Sequence, residues 1–555
     1  MKTKWNWLLT LLFCGFFLPA FSQGGTDKYW VMFTDKGDVF GLEPTDFLAQ
    51  RSIDRRLRQG LNVQFSDFPV NRQYIYGVGA AGATLLHPSK WLNATSVRMD
   101  EATAASVASL PYVKAVKRIP KVVLDLDEVP AVNAREGYSA GFSHTQTAMI
   151  GLDKLHKNGY NGHGILISMM DNGFRDADKN PYLSHLINSD RLVATWDFVN
   201  NEENVFNQGD HGQFTLSILA GWGESSSDSS FWFAGSAHGA SFILCHTESD
   251  ASETHQEEDN WVAAMEFADS IGADLFSTSL GYRTLDFDSY TYDDLDGNTA
   301  IITIAADLAA SKGIVVFNSA GNDGAGKMLA PSDGDSVISV GAVNGSEVIA
   351  GFSSQGPSFD GRIKPDISAM GEGCSYIRSS GTLSQGNGTS FSCPVAAGMG
   401  ACLLQSAPNT PNMVLYDAII RSADRYESPD TFYGYGIPDV AVAYKLLTGS
   451  DLPAVASSIW MGGDSIAIYP NPATDHFSVA FDNGTQAYAA TFELADASGR
   501  IVWKRVIEVA PFYNVLHFTR EDDFAFLPSG NYVLRILDAD REVKHSSKLR
   551  IYTAR

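Results

Sequence analysis

Between residues 146 and 450, short apolar runs alternate with Gly/Ala-rich helical patterns, and this alternation constrains the fold more than any other feature. The runs are Ile165–Met170, Phe242–Cys245, Leu275–Ser277, Ile314–Asn318 and Val337–Gly341. Between them Asp210–Ala220, Asn260–Ile271 and Ile302–Lys312 read as helices. Strands that are apolar throughout have both faces covered. Strand–helix–strand order then predicts an α/β fold, a mostly parallel sheet with helices on both faces. Side chains that do chemistry in such a sheet gather at the carboxyl ends of its strands.

The flanks read differently. Residues 23–126 form a small α/β unit: strands at Tyr29–Phe33 and Gln73–Val78, an arginine-bearing helix at Asp46–Gln59, a helix at Asp100–Ser109, and short strands at Val113–Lys117 and Val122–Leu126. Residues 127–145 are a polar Gly/Ser-rich connector and 451–464 a linker. From 465 to 555 only short alternating strands follow, such as Phe492–Leu494 and Tyr532–Ile536. Turns like Ser498-Gly499 separate them, which predicts an antiparallel β-sandwich. Residues 1–22, with Lys2, Lys4, the apolar Leu8–Ala20 and Ala20-Phe21-Ser22, read as a cleaved export signal. Cys245, Cys374, Cys393 and Cys402 then remain in an oxidising setting. A Cys245–Cys374 bridge and four free buried thiols both fit; Cys393 and Cys402 lie too far apart on one helix to pair. The formal charge is −24, with 15 basic and 39 acidic residues in 135–450, which makes nucleic acid and anionic membrane poor partners.

Three segments of the middle region carry chemistry. A buried strand ends in Asp171-Asn172-Gly173, Asp210-His211-Gly212 opens a helix, and a glycine-rich loop, Gly386-Asn387-Gly388-Thr389-Ser390, runs into the helix Val395–Gln405. A serine at a helix start sits where unpaired N–H groups and the dipole favour negative charge, as an acyl-transfer oxyanion requires. Serine is a weak nucleophile and needs a base, and the base needs an orienting carboxylate; His211 and Asp171 supply those types. A fourth segment, Ser319-Ala320-Gly321-Asn322, ends a strand in small residues and presents an amide.

The order of Asp171-Asn172-Gly173, His211-Gly212, Ser279-Leu280-Gly281, Ala320-Gly321-Asn322 and Gly388-Thr389-Ser390 resembles the subtilisin-like serine proteases. So do Phe352–Pro357 and Ile363–Ile367, and the likeness spans roughly 150–445. The resemblance implies that Asp171 orients His211, that His211 is general base and acid, that Ser390 is the nucleophile, and that Asn322 completes the oxyanion hole. It implies that Ser279, Leu280 and Gly281 form an edge strand pairing with substrate main chain and one wall of a side-chain pocket. Ser319, Ala320 and Gly321 form the other wall, with Leu329 at its base. Two departures stand out: Phe214 where the family has a second histidine, and Phe391-Ser392-Cys393 after the serine, where the family has Met-Ala. The N-terminal unit resembles the family's inhibitory propeptide, cut in the connector, with Arg51, Arg55, Arg56 and Arg58 either facing the acidic middle region or solvated. The C-terminal unit, through Ile468–Ala473 and Leu527–Val533, resembles a type IX secretion sorting domain. The implied protein is a secreted or surface-attached serine endopeptidase, exported via the periplasm. Its partners are polypeptide substrates, its own propeptide and the type IX machinery.

Other readings are weighed against this one. Gly137-Tyr138-Ser139-Ala140-Gly141 fits a hydrolase pattern, but no strand precedes it. No cofactor is required for the chemistry and no metal ligand is assigned. A structural calcium is left open by Asp293-Asp294-Leu295-Asp296-Gly297-Asn298, which lacks an EF-hand's last glutamate and reads first as a solvated Asx turn. Glu253, His255, Glu257 and Glu258 read as a charged helix start, and His163, His238 and His246 as structural or surface histidines. A degenerate peptide-binding or adhesion module on the same fold is the alternative function. A sedolisin-type acid peptidase would need a glutamate where His211 stands.

Overall fold

A computed structural model of the chain describes residues 26–37, 39, 41–119, 143–224, 232–248, 256–282, 290–326, 328–453, 466–469, 471–474, 476–482, 487–509 and 513–552. The export signal, the strand expected at Val122–Leu126, the Gly137–Gly141 motif, most of the connector and linker, Glu253 and His255 lie outside the described residues.

The N-terminal unit is a four-stranded antiparallel sheet. Its strands are β1 (Asp27–Phe33), β2 (Thr84–Ser89), β3 (Ala94–Met99) and β4 (Val113–Ile119), in the order β2-β3-β1-β4. Its helices are α1 (Gln50–Arg58), α2 (Arg72–Ala80) and α3 (Glu101–Ala108). The strand expected at Gln73–Val78 is a helix. Asn71 caps it, its side chain accepting from Gln73 N at 2.9 Å, and Tyr74, Ile75 and Val78 recur every three or four residues toward the core. Alternation over six residues cannot separate these two periods when the cap is missed.

The middle region holds the helices α4 (His144–Met149), α5 (Leu152–Lys157), α6 (Ser184–Ile187), α7 (His211–Ala220), α8 (Gln256–Ile271), α9 (Ile301–Ser311), α10 (Thr389–Ser406), α11 (Asn412–Arg421) and α12 (Val440–Thr448). Its strands are β5 (Leu166–Asp171), β6 (Leu192–Asp197), β7 (Trp222–Glu224), β8 (Trp232–Ala234), β9 (Ser241–His246), β10 (Leu275–Thr278), β11 (Val315–Ser319), β12 (Val337–Val343), β13 (Ile367–Met370), β14 (Glu372–Ile377) and β15 (Leu383–Asn387). Seven of them form one parallel sheet in the order β13-β12-β11-β10-β5-β9-β6. The expected mostly parallel sheet is therefore found. Side chains leave alternate faces of each strand, and both faces are buried. Ile167 and Met169 join one core with α5, α7, α10, α11 and α12, while Leu166 and Met170 join a second core with α8 and α9. Helix α10 lies almost wholly inside the first core. Gly400 permits this, since a methyl there would sit 2.7 Å from the Phe317 ring. All four described cysteines are buried and free, which decides between bridge and thiols.

The N-terminal sheet packs on α8 through paired charges. Lys28 bonds Asp259 at 2.6 Å, Glu266 accepts from Ser89 Oγ, Lys90 N and Trp91 N, and Asp269 holds Arg55 at 2.5 Å and Arg56 at 2.9 Å. Arg51 and Arg58 reach Asp274. The four arginines thus face the acidic region; none is on a solvated face alone. After residue 465 come β16 (Ile466–Tyr469), β17 (His476–Asp482), β18 (Tyr488–Ala495), β19 (Ile501–Val509), β20 (Tyr513–Thr519), β21 (Gly530–Leu537) and β22 (Val543–Ile551). They make two antiparallel sheets, β16-β17-β20 and β19-β18-β21-β22, closing on one apolar core, as the alternating pattern predicts.

Candidate active site

β5 ends at Asp171, and α7 begins at His211 beside it. Asp171 is buried, and its Oδ1 accepts from His211 Nδ1 at 2.7 Å and from Asn172 N at 2.8 Å. The carboxylate can only accept here, so Nδ1 carries the proton and Nε2 is left as the basic nitrogen. Gly212 makes the approach possible, because a methyl there would lie 2.8 Å from Asp171 Cβ. The residue before the base, Asp210, is held by Arg175 at 3.2 Å and by the Ser379 hydroxyl. The Asp171 Oδ2 accepts from Thr215 Oγ1 at 3.1 Å.

Ser390 stands in the first turn of α10, and α10 packs directly against α7. The Ser390 hydroxyl donates to the Ser279 carbonyl at 3.4 Å, while Ser279 Oγ donates to the Ser390 carbonyl at 2.9 Å. Asn322, just beyond β11, is fixed by its oxygen: Oδ1 accepts from Thr389 N at 2.8 Å and from Thr389 Oγ1 at 3.0 Å. Its Nδ2 must then face the other way. A methyl built on Gly388 would sit 3.7 Å from Asn322 Nδ2 and 3.7 Å from Ser390 N, so the two donors border one small space. Two N–H groups converging beside a serine at a helix start can hold a negative oxygen. Three residues further on, burial pushes the Cys393 thiol up to about 12, so it stays protonated.

The two segments expected as pocket walls both bond the start of α10, Ser279 to Ser390 and Gly321 to Thr389. Beyond Thr278 the Ser279–Gly281 segment leaves the sheet ladder until Tyr282 bridges Ala330, and Gly321 N bonds Thr389 Oγ1 at 3.1 Å. Leu329 lies between these two segments: methyls on Gly281 and Gly321 would lie 2.8 Å and 2.6 Å from its Cδ1. The two departures from the family pattern meet through a third ring. Phe214 of α7 lies 4.7 Å from Tyr376 of β14, which stacks on Phe391 of α10 at 5.2 Å. Sequence reasoning missed Tyr376 and Thr215 as parts of the site, and it named Thr389 in the glycine-rich motif without its partner Asn322. A hydroxyl one helical turn after His211 was the available signal for Thr215.

The remaining candidates are accounted for locally. His246 Nδ1 lies 2.9 Å from Asp197 Oδ2 in the core, and His238 bonds the Gly235 carbonyl. Asp296 Oδ1 accepts from Asn298 N and Thr299 N, both at 2.8 Å, as an Asx turn. Glu257 and Glu258 are buried at the start of α8 rather than exposed. Among the described residues no three His, Cys, Asp or Glu side chains gather as metal ligands.

Comparison with known proteins adds three family matches. The Subtilase family model matches residues 162–436, the Bacteroidota Peptidase S8 propeptide domain matches 28–131, and a secretion system C-terminal sorting domain matches 467–551. The chain is 27% identical to Subtilisin E of Bacillus subtilis over 372 residues, covering 66% of this chain and 84% of that protein. It is 28% identical to a subtilisin of Bacillus pumilus over 295 residues, covering 52% of this chain and 94% of that protein. It is 29% identical to the serine protease AprX of Bacillus subtilis over 304 residues, 50% of this chain and 65% of that protein.

Proposed function

The chain is a serine-type endopeptidase of the subtilase family, carrying an S8 propeptide domain and a sorting domain that directs export to the cell surface or beyond, and we propose that it cleaves peptide bonds through Asp171, His211 and Ser390. The Asp171–His211 bond of 2.7 Å carries this reading, because it leaves a basic Nε2 on the helix packed against that of Ser390. Rotation about χ1 moves the Ser390 hydroxyl from the Ser279 carbonyl to that nitrogen. His211 takes the proton as Oγ attacks the scissile carbonyl, Asn322 Nδ2 and Ser390 N hold the tetrahedral oxyanion, and the protonated imidazole gives its proton to the leaving amine. Water then hydrolyses the acyl-enzyme, with His211 again the base. Substrate main chain pairs with Ser279–Gly281 as an added strand. Leu329 limits the slot beside it, so the residue before the scissile bond is small.

In the precursor the N-terminal unit, held on α8 by its ion pairs, is a self-inhibitor. The activating cut falls before Ser143, which already bonds Ala234 from both sides at 2.7 and 3.0 Å, next to Gln146 clasping Ser375. Ser390→Ala should accumulate uncut precursor that no fluorophosphonate labels. Self-processing of the purified variant would refute the assignment, and an unlabelled wild-type chain would favour a non-catalytic binding module.

A further inference from the structure

The two oxygens of the Asp171 carboxylate are served by different elements. Oδ1 takes the His211 imidazole and the Asn172 N–H, and with the side chain buried, bulk water does not serve Oδ2. The hydrogen bond to Oδ2 comes from Thr215 Oγ1, at 3.1 Å. Thr215 is fully buried and lies four residues after His211, on the same face of α7. One helix therefore presents the base and, one turn later, a hydroxyl, to the two oxygens of one carboxylate.

We propose that Thr215 is a positioning residue for the proposed catalytic pair: its hydroxyl locks the rotation of the Asp171 carboxylate, so that Oδ1 stays aimed at His211 Nδ1 throughout proton transfer. The inference rests on the triad reading above. Thr215 Oγ1 also lies 3.0 Å from the Gly212 carbonyl, the usual back-bond of a helical threonine. A hydroxyl has one proton to give. The carboxylate is the stronger acceptor because the bond is charge-assisted, whereas the Gly212 carbonyl already serves the helical ladder of its own turn. With valine here, Oδ2 becomes a buried anionic oxygen without a donor, and the carboxylate is free to turn.

The test compares the full chain with Thr215→Val, Thr215→Ser and Ser390→Ala. Valine keeps the volume and removes the hydroxyl; serine returns the hydroxyl. In Thr215→Val we expect kcat to fall roughly tenfold while KM is held. The acid limb of kcat/KM should move to higher pH, because a carboxylate whose charge is no longer shared holds the proton on the imidazole longer. Thr215→Ser should restore both to within about twofold. If the valine variant does not mature, the same comparison is read from self-processing rates of the folded precursors. A valine variant with unchanged kcat and pH profile overturns the proposal. So does a serine variant as impaired as valine, or a lowered melting temperature with an unmoved acid limb, which would make Thr215 a helix back-bond only. An active Ser390→Ala would instead remove the triad reading itself, so the two failures are distinguishable.

Discussion

Both Thr389 donors lie on Asn322 Oδ1, and this leaves the amide nitrogen only the cleft side to face. Truncating that side chain removes a donor from the oxyanion and disturbs nothing that binds substrate elsewhere. Asn322→Ala should therefore lower kcat by about 10²–10³ with KM nearly unchanged; steady-state kinetics on a peptide substrate checks it, and an unchanged turnover would remove Asn322 from the hole. Leu329 acts on a different quantity. Pressed against both Gly281 and Gly321, it occupies the volume a large side chain would need. Leu329→Gly should shift cleavage toward large apolar residues before the scissile bond, by roughly tenfold or more in the ratio of kcat/KM values. Cleavage-site profiling on a peptide mixture reads this directly. Asp171, His211, Ser390 and Asn322 could be named as candidates because motif and element end coincide in the chain. Thr215 could not, since a helical threonine reads as ordinary helix filling until its partner is known.

At the scale of elements, a chain of rings adds to the polar contacts. Phe214, Tyr376 and Phe391 join the helix of the base, the strand β14 and the helix of the nucleophile. In the sequence Phe214 and Phe391 are two unrelated departures from a family pattern. In space they are the outer members of one chain of rings, Phe214 tilted at 46° to Tyr376 and Phe391 stacked on it, and Tyr376, 4% exposed, is its middle. Tyr376→Ala should destabilise the chain by about 3–5 kcal/mol, measured by denaturant unfolding of the Ser390→Ala precursor. A loss below about 1 kcal/mol would show that the rings are adjacent without being coupled. The α2 segment teaches the reverse lesson. Its short apolar pattern was compatible with a strand, and only the Asn71 cap and the packing of Val78 selected the helix.

At the scale of the whole molecule, the two larger units meet through charges removed from water. Burial alone would push the Asp269 carboxyl up, but the Arg55 and Arg56 guanidiniums beside it hold it down at about 2. A depressed carboxylate contributes stability above its ordinary value near 3.8 and loses it only as pH falls toward 2. Removing it is another matter: Asp269→Asn takes the ion-pair partner from the buried Arg55 guanidinium and leaves Arg56 with Asp67 alone, and should cost the precursor about 3–5 kcal/mol in unfolding free energy. The histidines respond at milder pH. Burial holds His156 down to about 4 and His185 to about 3, with Arg191 adding to the latter, and drives His238 well below 6.5. The folded chain keeps these rings neutral while the unfolded chain protonates them. Stability should be complete above pH 6.5 and fall as pH drops toward 4, before Asp269 responds at all. Unfolding midpoints across that range test it; a flat profile between 6.5 and 4 would contradict the assignment.

Period and order along the chain determined the parallel sheet, the flanking units, the acidic middle and the candidate residues for the chemistry. These are local properties, set by which residues repeat every two or four positions and which polar types end an element. The tertiary structure alone decided that four arginines face carboxylates, that four thiols are free, that Leu329 lies against Gly281 and Gly321, that Tyr376 lies between Phe214 and Phe391, and that Thr215 bonds Asp171. Each of these depends on the distance between residues far apart in the chain. That distance is set by how the helices pack on the sheet, a many-body outcome that no short window of sequence contains.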